Sequence, residues 1–324
     1  MSTSLGERAR KVAAGMPPPV RRSLRTGLRR YRSARYHLRE RFRPTTLTAA
    51  DVESALRECG LEAGDACFLQ AAMSAFGGFE DGPDTVVAGI EVVVGPDGLI
   101  TMPTYSVAGP TIEYLGNDPV FDARETPSRM GAISEAFRLS PGTLRSFHPT
   151  HSVCARGAGA EEVVAGHDRA DAPFGFGTPF VRIPERNALQ VFFGCGTGPM
   201  TMYHPFECTR VPPFPLDVFA NRVFDVRCRD WDGGERRVRT LVHEPTLLPG
   251  RIDNNPRLQA IFRDAILDAG GVAVRLGRGE ILAIRLPVLF EVFERLLSER
   301  GITMYNEPVP AGTPSVPPQE RVDV

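Results

Sequence analysis

Short apolar runs that alternate with amphipathic segments constrain this chain more than any other feature. Cys67-Phe68-Leu69-Gln70-Ala71, Leu99-Ile100-Thr101-Met102 and the run from Ala188 to Gly194 are too short for core helices. They read as buried strands. Thr48-Ala49-Ala50-Asp51 carries an N-cap residue with an acid three positions on, so it opens a helix reaching about Cys59. Further helices are expected over residues 84–94, 130–139, 159–166, 256–268 and 286–300, with a turn at Gly95-Pro96-Asp97-Gly98. Residues 222–228 and 236–243 alternate between apolar and polar positions around Trp231-Asp232-Gly233-Gly234, which predicts a hairpin. Helices alternating with short strands, plus one late hairpin, predict an α/β three-layer sandwich with a mixed central sheet.

The 324 residues divide unevenly by charge. Residues 1–45 hold 13 basic and two acidic side chains, a net +11, and the remainder carries a net −12. After Pro17-Pro18-Pro19, the apolar Val20, Leu24, Leu28 and Tyr31 recur at helical spacing among arginines. We therefore expect a basic helical N-terminal extension over 1–45, a main domain over 46–305 and a Pro-rich, disordered tail over 306–324. The arm is expected to pack across the body or a homodimer partner, or to meet a membrane surface or anionic partner. The overall charge of −1 gives no case for a general nucleic-acid binder. No apolar run approaches the roughly 18 residues of a membrane span, and no secretory signal opens the chain, so a cytoplasmic location is expected. The six cysteines form no CxxC pair and read as free thiols of a cytoplasmic core.

Six histidines are the main candidates for chemistry: His37, His148, His151, His167, His204 and His243. His204 follows the Gly-rich exit Gly194-Cys195-Gly196-Thr197-Gly198 of the most apolar strand, with Glu207 three residues on. His243 and Glu244 end the second hairpin strand. Open α/β sheets bind ligands at the carboxyl ends of strands, which makes these the best-placed titratable groups. His148 precedes Pro149 and is expected to order its own loop. The single HxxE has no second motif beside it, so no metal is expected. Ser74 follows a strand but lacks the GxSxG glycines, which leaves a serine hydrolase as a weaker alternative. Neither a P-loop nor a GxGxxG fingerprint is present.

Six segments, in order, carry a resemblance: Phe68 to Gly77; Gly95 to Ser106; Thr126-Pro127-Ser128-Arg129-Met130-Gly131; Arg145 to Ser152; Gly175 to Phe180; and Thr201-Met202-Tyr203-His204-Pro205-Phe206-Glu207. Together they resemble the aminoglycoside 3-N-acetyltransferases over roughly residues 47–300. The resemblance implies a mixed α/β sandwich that moves an acetyl group from acetyl-CoA, the acyl donor, to a small-molecule amine acceptor such as an amino sugar. Its HxxE histidine falls on His204, with Glu207 as support and Glu244, or His243 beside it, as the partner at the end of a later strand. It also implies donor contacts from Gln70, Ala71, Ala72, Met73 and Ser74, and from Thr104, Ser128 and Arg129. The family reads His-Ser-Ser where this chain has Gln70-Ala71-Ala72. Backbone N–H contacts to phosphate survive that change, and hydroxyl contacts do not. An alkyl ammonium must lose a proton before it attacks, so His204 is expected to act as general base. A non-catalytic binding module on the same fold is the alternative from another class.

Overall fold

A computed structural model describes residues 46–107, 109–170 and 172–306. The basic arm with His37, and the tail after Asn306, lie outside the described residues. In chain order the elements are β1 (Thr46–Leu47), α1 (Ala49–Glu58), β2 (Ala66–Ala71), β3 (Gly78–Phe79), α2 (Pro83–Val94) and β4 (Leu99–Pro103). Next come α3 (Thr111–Leu115), β5 (Val120–Asp122), α4 (Ala132–Leu139), β6 (Leu144–Arg145), β7 (Val153–Gly157), α5 (Ala160–Val164) and α6 (Pro179–Glu185). The chain continues through β8 (Leu189–Phe193), α7 (Tyr203–Thr209), β9 (Phe219–Arg229), β10 (Glu235–His243), α8 (Pro256–Asp268), β11 (Val272–Leu276), β12 (Gly279–Arg285) and α9 (Leu286–Arg300).

Seven strands form the central sheet in the order β11-β12-β8-β2-β4-β7-β6. The inner strands β8, β2 and β4 run parallel, and β12 and β7 flank them antiparallel. Side-chain alternation assigns the two faces. Cys67 and Leu69 of β2 pack with α1, α2 and α4, including Val52, Leu56, Ile90 and Phe137. Phe68 points the other way, against Phe180 of α6, into the core that also holds Tyr203 of α7, Phe262 of α8 and Phe293 of α9. Helices thus cover both faces, the expected three layers around a mixed sheet. Burying each such phenylalanine removes its surface from water and contributes about 1.5–3 kcal/mol. After α9 the chain turns back, and Ile302, Met304 and Tyr305 are buried in the same core.

Helix α1 starts where its capping signal sits. The Thr48 hydroxyl accepts from Asp51 N–H, and the Asp51 carboxylate accepts from Thr48 N–H. The hairpin forms as β9 and β10, but it joins β5 in a separate three-stranded sheet with its own core of Phe121, Phe147, Phe224 and Val238. The expected helix over 159–166 is only Ala160–Val164, because Ala165 is extended and Gly166 left-handed. β7, β11 and β12 were not expected. β12 is buried on both faces and so shows no alternation, and β11 meets it across the two-residue turn Gly277-Arg278. All six cysteines are free thiols. Among the described residues no helix is long and apolar enough to cross a membrane.

Candidate active site

β2, β4 and β8 are parallel neighbours, so their carboxyl ends lie along one edge of the sheet. The chain leaving β2 makes a 3₁₀ turn at Met73–Ala75, and the chain leaving β8 crosses it at Gly194. Gly194 has φ +73°, and a Cβ there would approach Ala75 Cβ at 2.8 Å and collide with the Phe76 ring, so only glycine permits the crossing. Gln70, the penultimate residue of β2, is buried. Its Nε2 donates to Thr201 Oγ1 at 2.9 Å, its Oε1 accepts from Gln190 at 3.3 Å, and its carbonyl accepts from Cys195 Sγ at 3.1 Å. These bonds tie the end of β2 to the segment that enters α7.

On α7 the i, i+3 spacing puts His204 and Glu207 on one face. His204 Nδ1 lies 3.0 Å from Glu207 Oε2. The Glu207 side chain has no exposed surface, and His243 Nε2 approaches the same oxygen at 3.6 Å, with the two imidazole centroids 4.2 Å apart. Burial alone would raise the Glu207 carboxyl; the two histidines outweigh it and hold the group below its ordinary value, hence ionised. An ionised Oε2 can only accept, so His204 Nδ1 carries the proton. That leaves Nε2 as the basic nitrogen, and among the described residues no hydrogen bond occupies it. His243 is pushed down to about 4 by burial and by the neighbouring His204, so it is neutral at pH 7. The Tyr305 phenol is raised by burial and by the Glu207 charge, and stays protonated. Arg251 Nε and Nη2 each meet the Asp253 carboxylate at 2.9 Å, its charge reaches His151 and His243, and the Glu207 charge acts on it in turn.

Phe174 packs against three of the rings, with centroids 4.6 Å from His204, 4.8 Å from His151 and 5.6 Å from His243. Tyr105 closes the far side, 4.7 Å from His151. Behind it, His148 stacks on His167 at 4.5 Å. His148 Nδ1 accepts from the His151 backbone N–H at 3.1 Å, so it does order its loop. His167 Nε2 donates to the Pro173 carbonyl at 2.9 Å, and its Nδ1 accepts from Ser146 at 2.8 Å. Burial pushes His148 and His151 well below the ordinary histidine value, and His167 to about 4.

Of the residues singled out from sequence, His204, Glu207 and His243 come together. Glu244 does not join them: its carboxylate caps the next turn by accepting from the N–H and hydroxyl of Thr246, both at 3.1 Å. Ser74 is exposed on the 3₁₀ turn, and among the described residues no histidine is hydrogen-bonded to it. Ala71, Ala72 and Met73 are half-buried at the same turn. Met73 and Ser74 open the 3₁₀ turn, and their N–H groups make no backbone hydrogen bond among the described residues. Thr104 is buried, and its hydroxyl donates to the Ser152 carbonyl at 3.2 Å. The Ser128 hydroxyl accepts from Met130 N–H at 3.1 Å. Arg129 is exposed and is placed by its N–H bond to the Tyr105 carbonyl at 2.7 Å. Sequence reasoning missed Arg145, Tyr105, Phe174, Arg251 and Tyr305. Arg145 is buried and bonds the carbonyls of Thr104, Ala123 and Thr126 and the Ser152 hydroxyl, so one side chain pins three loops at the sheet edge. Its only signal was its place inside the Arg145-to-Ser152 segment.

Comparison with known proteins gives a consistent result. The family described as aminoglycoside 3-N-acetyltransferase matches residues 68–298. Aminoglycoside N(3)-acetyltransferase IX of Micromonospora chalcea is 28% identical over 174 residues, 50% of this chain and 62% of that protein. The match thus spans about three fifths of that relative's length. The solved structure of AAC-IIIb in a binary complex with CoASH superposes with TM-score 0.65 at 23% identity, covering 82% of this chain and 100% of the other. AAC-VIa bound to sisomicin superposes with TM-score 0.66 at 23% identity, covering 79% and 99%. At that identity the two structures bear on the fold.

Proposed function

Since the chain belongs to the aminoglycoside 3-N-acetyltransferase family, we propose that it transfers an acetyl group from acetyl-CoA to an amine of an amino-sugar acceptor, with His204 as general base. One observation carries this reading: a histidine whose Nδ1 is held 3.0 Å from a buried carboxylate, at the carboxyl ends of the parallel strands. That arrangement fixes the tautomer, turns Nε2 outward as a base and stabilises the imidazolium that forms. Here Glu207 takes the orienting role and Glu244 does not. The neutral His243 on the same oxygen is the second group positioning the carboxylate.

The donor side fits acetyl-CoA through its backbone. The turn after β2 offers the N–H groups of Met73 and Ser74, and the small side chains of Ala71 and Ala72 leave that backbone within reach. Arg129, exposed beside Tyr105, is the cation available to a phosphate. Acetyl-CoA supplies a carbonyl already activated by its thiol leaving group. The protein's own tasks are then three. His204 Nε2 takes the proton of the attacking amine, Glu207 stabilises the resulting imidazolium, and the imidazolium returns the proton to the departing thiolate. Backbone N–H groups at the turn are the donors for the oxyanion charge. AAC-VIa is solved with sisomicin, and AAC-IIIb with CoASH, which supports an aminoglycoside-like acceptor and a CoA donor here. We place the reaction in the cytoplasm, where acetyl-CoA is made.

The test is a mass-spectrometric assay of the full chain with acetyl-CoA and a panel of aminoglycosides and simpler amino sugars. The expected result is a product heavier by one acetyl group, with free CoA released in equal amount. CoA binding without turnover of any amine would favour the binding-module reading. No binding at all would remove the family's donor from this chain.

A further inference from the structure

The three groups gathered at α7 and β10 have an arrangement that a proton relay does not require. His204 Nδ1, Glu207 Oε2 and His243 Nε2 lie within 4.8 Å of one another. A tetrahedral zinc with ligands at about 2.0–2.1 Å separates neighbouring donor atoms by roughly 3.3 Å. The observed 3.0 and 3.6 Å to the shared Oε2 bracket that spacing. Two buried polar atoms also lack well-formed partners among the described residues. The Tyr305 phenol and His243 Nε2 both face the wholly buried Glu207 carboxylate, yet neither Glu207 Oε1 nor His243 Nε2, 3.6 Å from Oε2, makes a hydrogen bond of normal geometry. Buried polar atoms without a well-formed partner are a minority in folded proteins.

We propose that His204, Glu207 and His243 form a three-ligand site for a divalent transition metal of the zinc class, which captures the base and switches it off. Two imidazoles and one carboxylate suit zinc or cobalt; magnesium and calcium call for oxygen ligands. The fourth position is left to water. The site lies where acetyl transfer is proposed, but metal capture does not depend on that reaction. Capture at His204 Nδ1 shifts the ring's one proton from Nδ1 to Nε2 and takes up the orienting carboxylate, so Nε2 becomes a donor and can no longer accept the amine proton. Arg251 is the cation facing the cluster, and its pairing with Asp253 offsets that charge. The metal is an inhibitor of this site, not a resident cofactor.

The test uses the full chain, stripped with a chelator and titrated with Co2+ in the absence of acetyl-CoA and acceptor. The expected result is one Co2+ per chain, with the intense visible absorption of four- or five-coordinate cobalt, displaced by Zn2+ and unaffected by excess Mg2+. His243→Gln, confirmed folded by its melting curve, should weaken Co2+ binding by more than about 100-fold, beyond the roughly 10–100-fold that loss of an outer partner of a ligand costs. X-ray absorption of the Zn2+-loaded native chain should show two imidazoles and an oxygen shell, a readout that holds even if the variant fails to fold. Absence of stoichiometric binding, unchanged binding in a folded His243→Gln, or a zinc–sulfur shell from the cysteines would overturn the proposal. Because no substrate is present, each of these outcomes leaves the acetyl-transfer reading standing, and failure of acetyl transfer leaves the metal site standing.

Discussion

A single carboxylate oxygen decides the chemistry of the site. Glu207 Oε2 fixes the tautomer of His204 and sits against His243, and burial keeps water from competing for it. Glu207→Gln removes the negative charge and lets the amide nitrogen face Nδ1, which favours the wrong tautomer. The expected outcome in steady-state kinetics is a kcat lower by about 10²–10⁴, with KM for acetyl-CoA unchanged within a few-fold, the pattern of an orienting acid lost from behind a histidine. A kcat near that of the native chain would leave Glu207 a structural acid. His204 and Glu207 were legible because i, i+3 spacing is local. The choice between His243 and Glu244 was not, because both end the same strand. The β9–β10 register shifts by two residues between Leu241↔Val223 and His243↔Phe219, and beyond that irregularity His243 faces Glu207 while Glu244 caps the next turn. Neither residue carries a mark of such a bulge in the sequence.

Elements whose signals are local were read closely. The Thr48 capping box and the starts of α8 at Pro256 and of α9 at Leu286-Pro287 follow from side chains within three residues. β12 escaped because a strand buried on both faces loses the period of two that identifies it. The grouping of β9 and β10 with β5 depends on contacts more than 90 residues apart, which no local pattern encodes. The crossing of β8 over the turn after β2 is the junction on which the site depends most. Gly194→Ala forces a Cβ into the Phe76 ring and Ala75 while holding a non-glycine residue at φ +73°. The expected outcome is a loss of about 1–3 kcal/mol in stability from overpacking alone, read by denaturant unfolding. KM for acetyl-CoA should also rise, because the displaced turn carries Met73 and Ser74. Native-like stability would mean that the two segments can separate without cost.

At the scale of the whole molecule, five histidines from distant parts of the chain converge on one buried aromatic cluster around Phe174. His148, His151, His167 and His243 all bind protons more weakly in the fold than in the unfolded chain. The unfolded state therefore holds more protons as pH falls, and stability is lost with acid. The loss begins as pH drops through about 6.5 and continues toward about 4, the value to which His167 and His243 are pushed. Each of those two contributes on the order of 3 kcal/mol over that window, at 1.36 kcal/mol per pKa unit. Melting temperature measured from pH 7 to pH 4 should fall steeply, and a flat profile would show that the cluster takes up protons without opening. The acidic body fits the proposed reading, in which a cationic amine is received beside His204 as the base. That claim meets its most direct test in kcat for the native chain and for His204→Ala, at pH 7 with saturating acetyl-CoA and acceptor. The account predicts a fall of about 10²–10⁴, with acetyl-CoA affinity unchanged and partial recovery at high pH, where the free amine needs no base. A His204→Ala variant that turns over at nearly the native rate would contradict it.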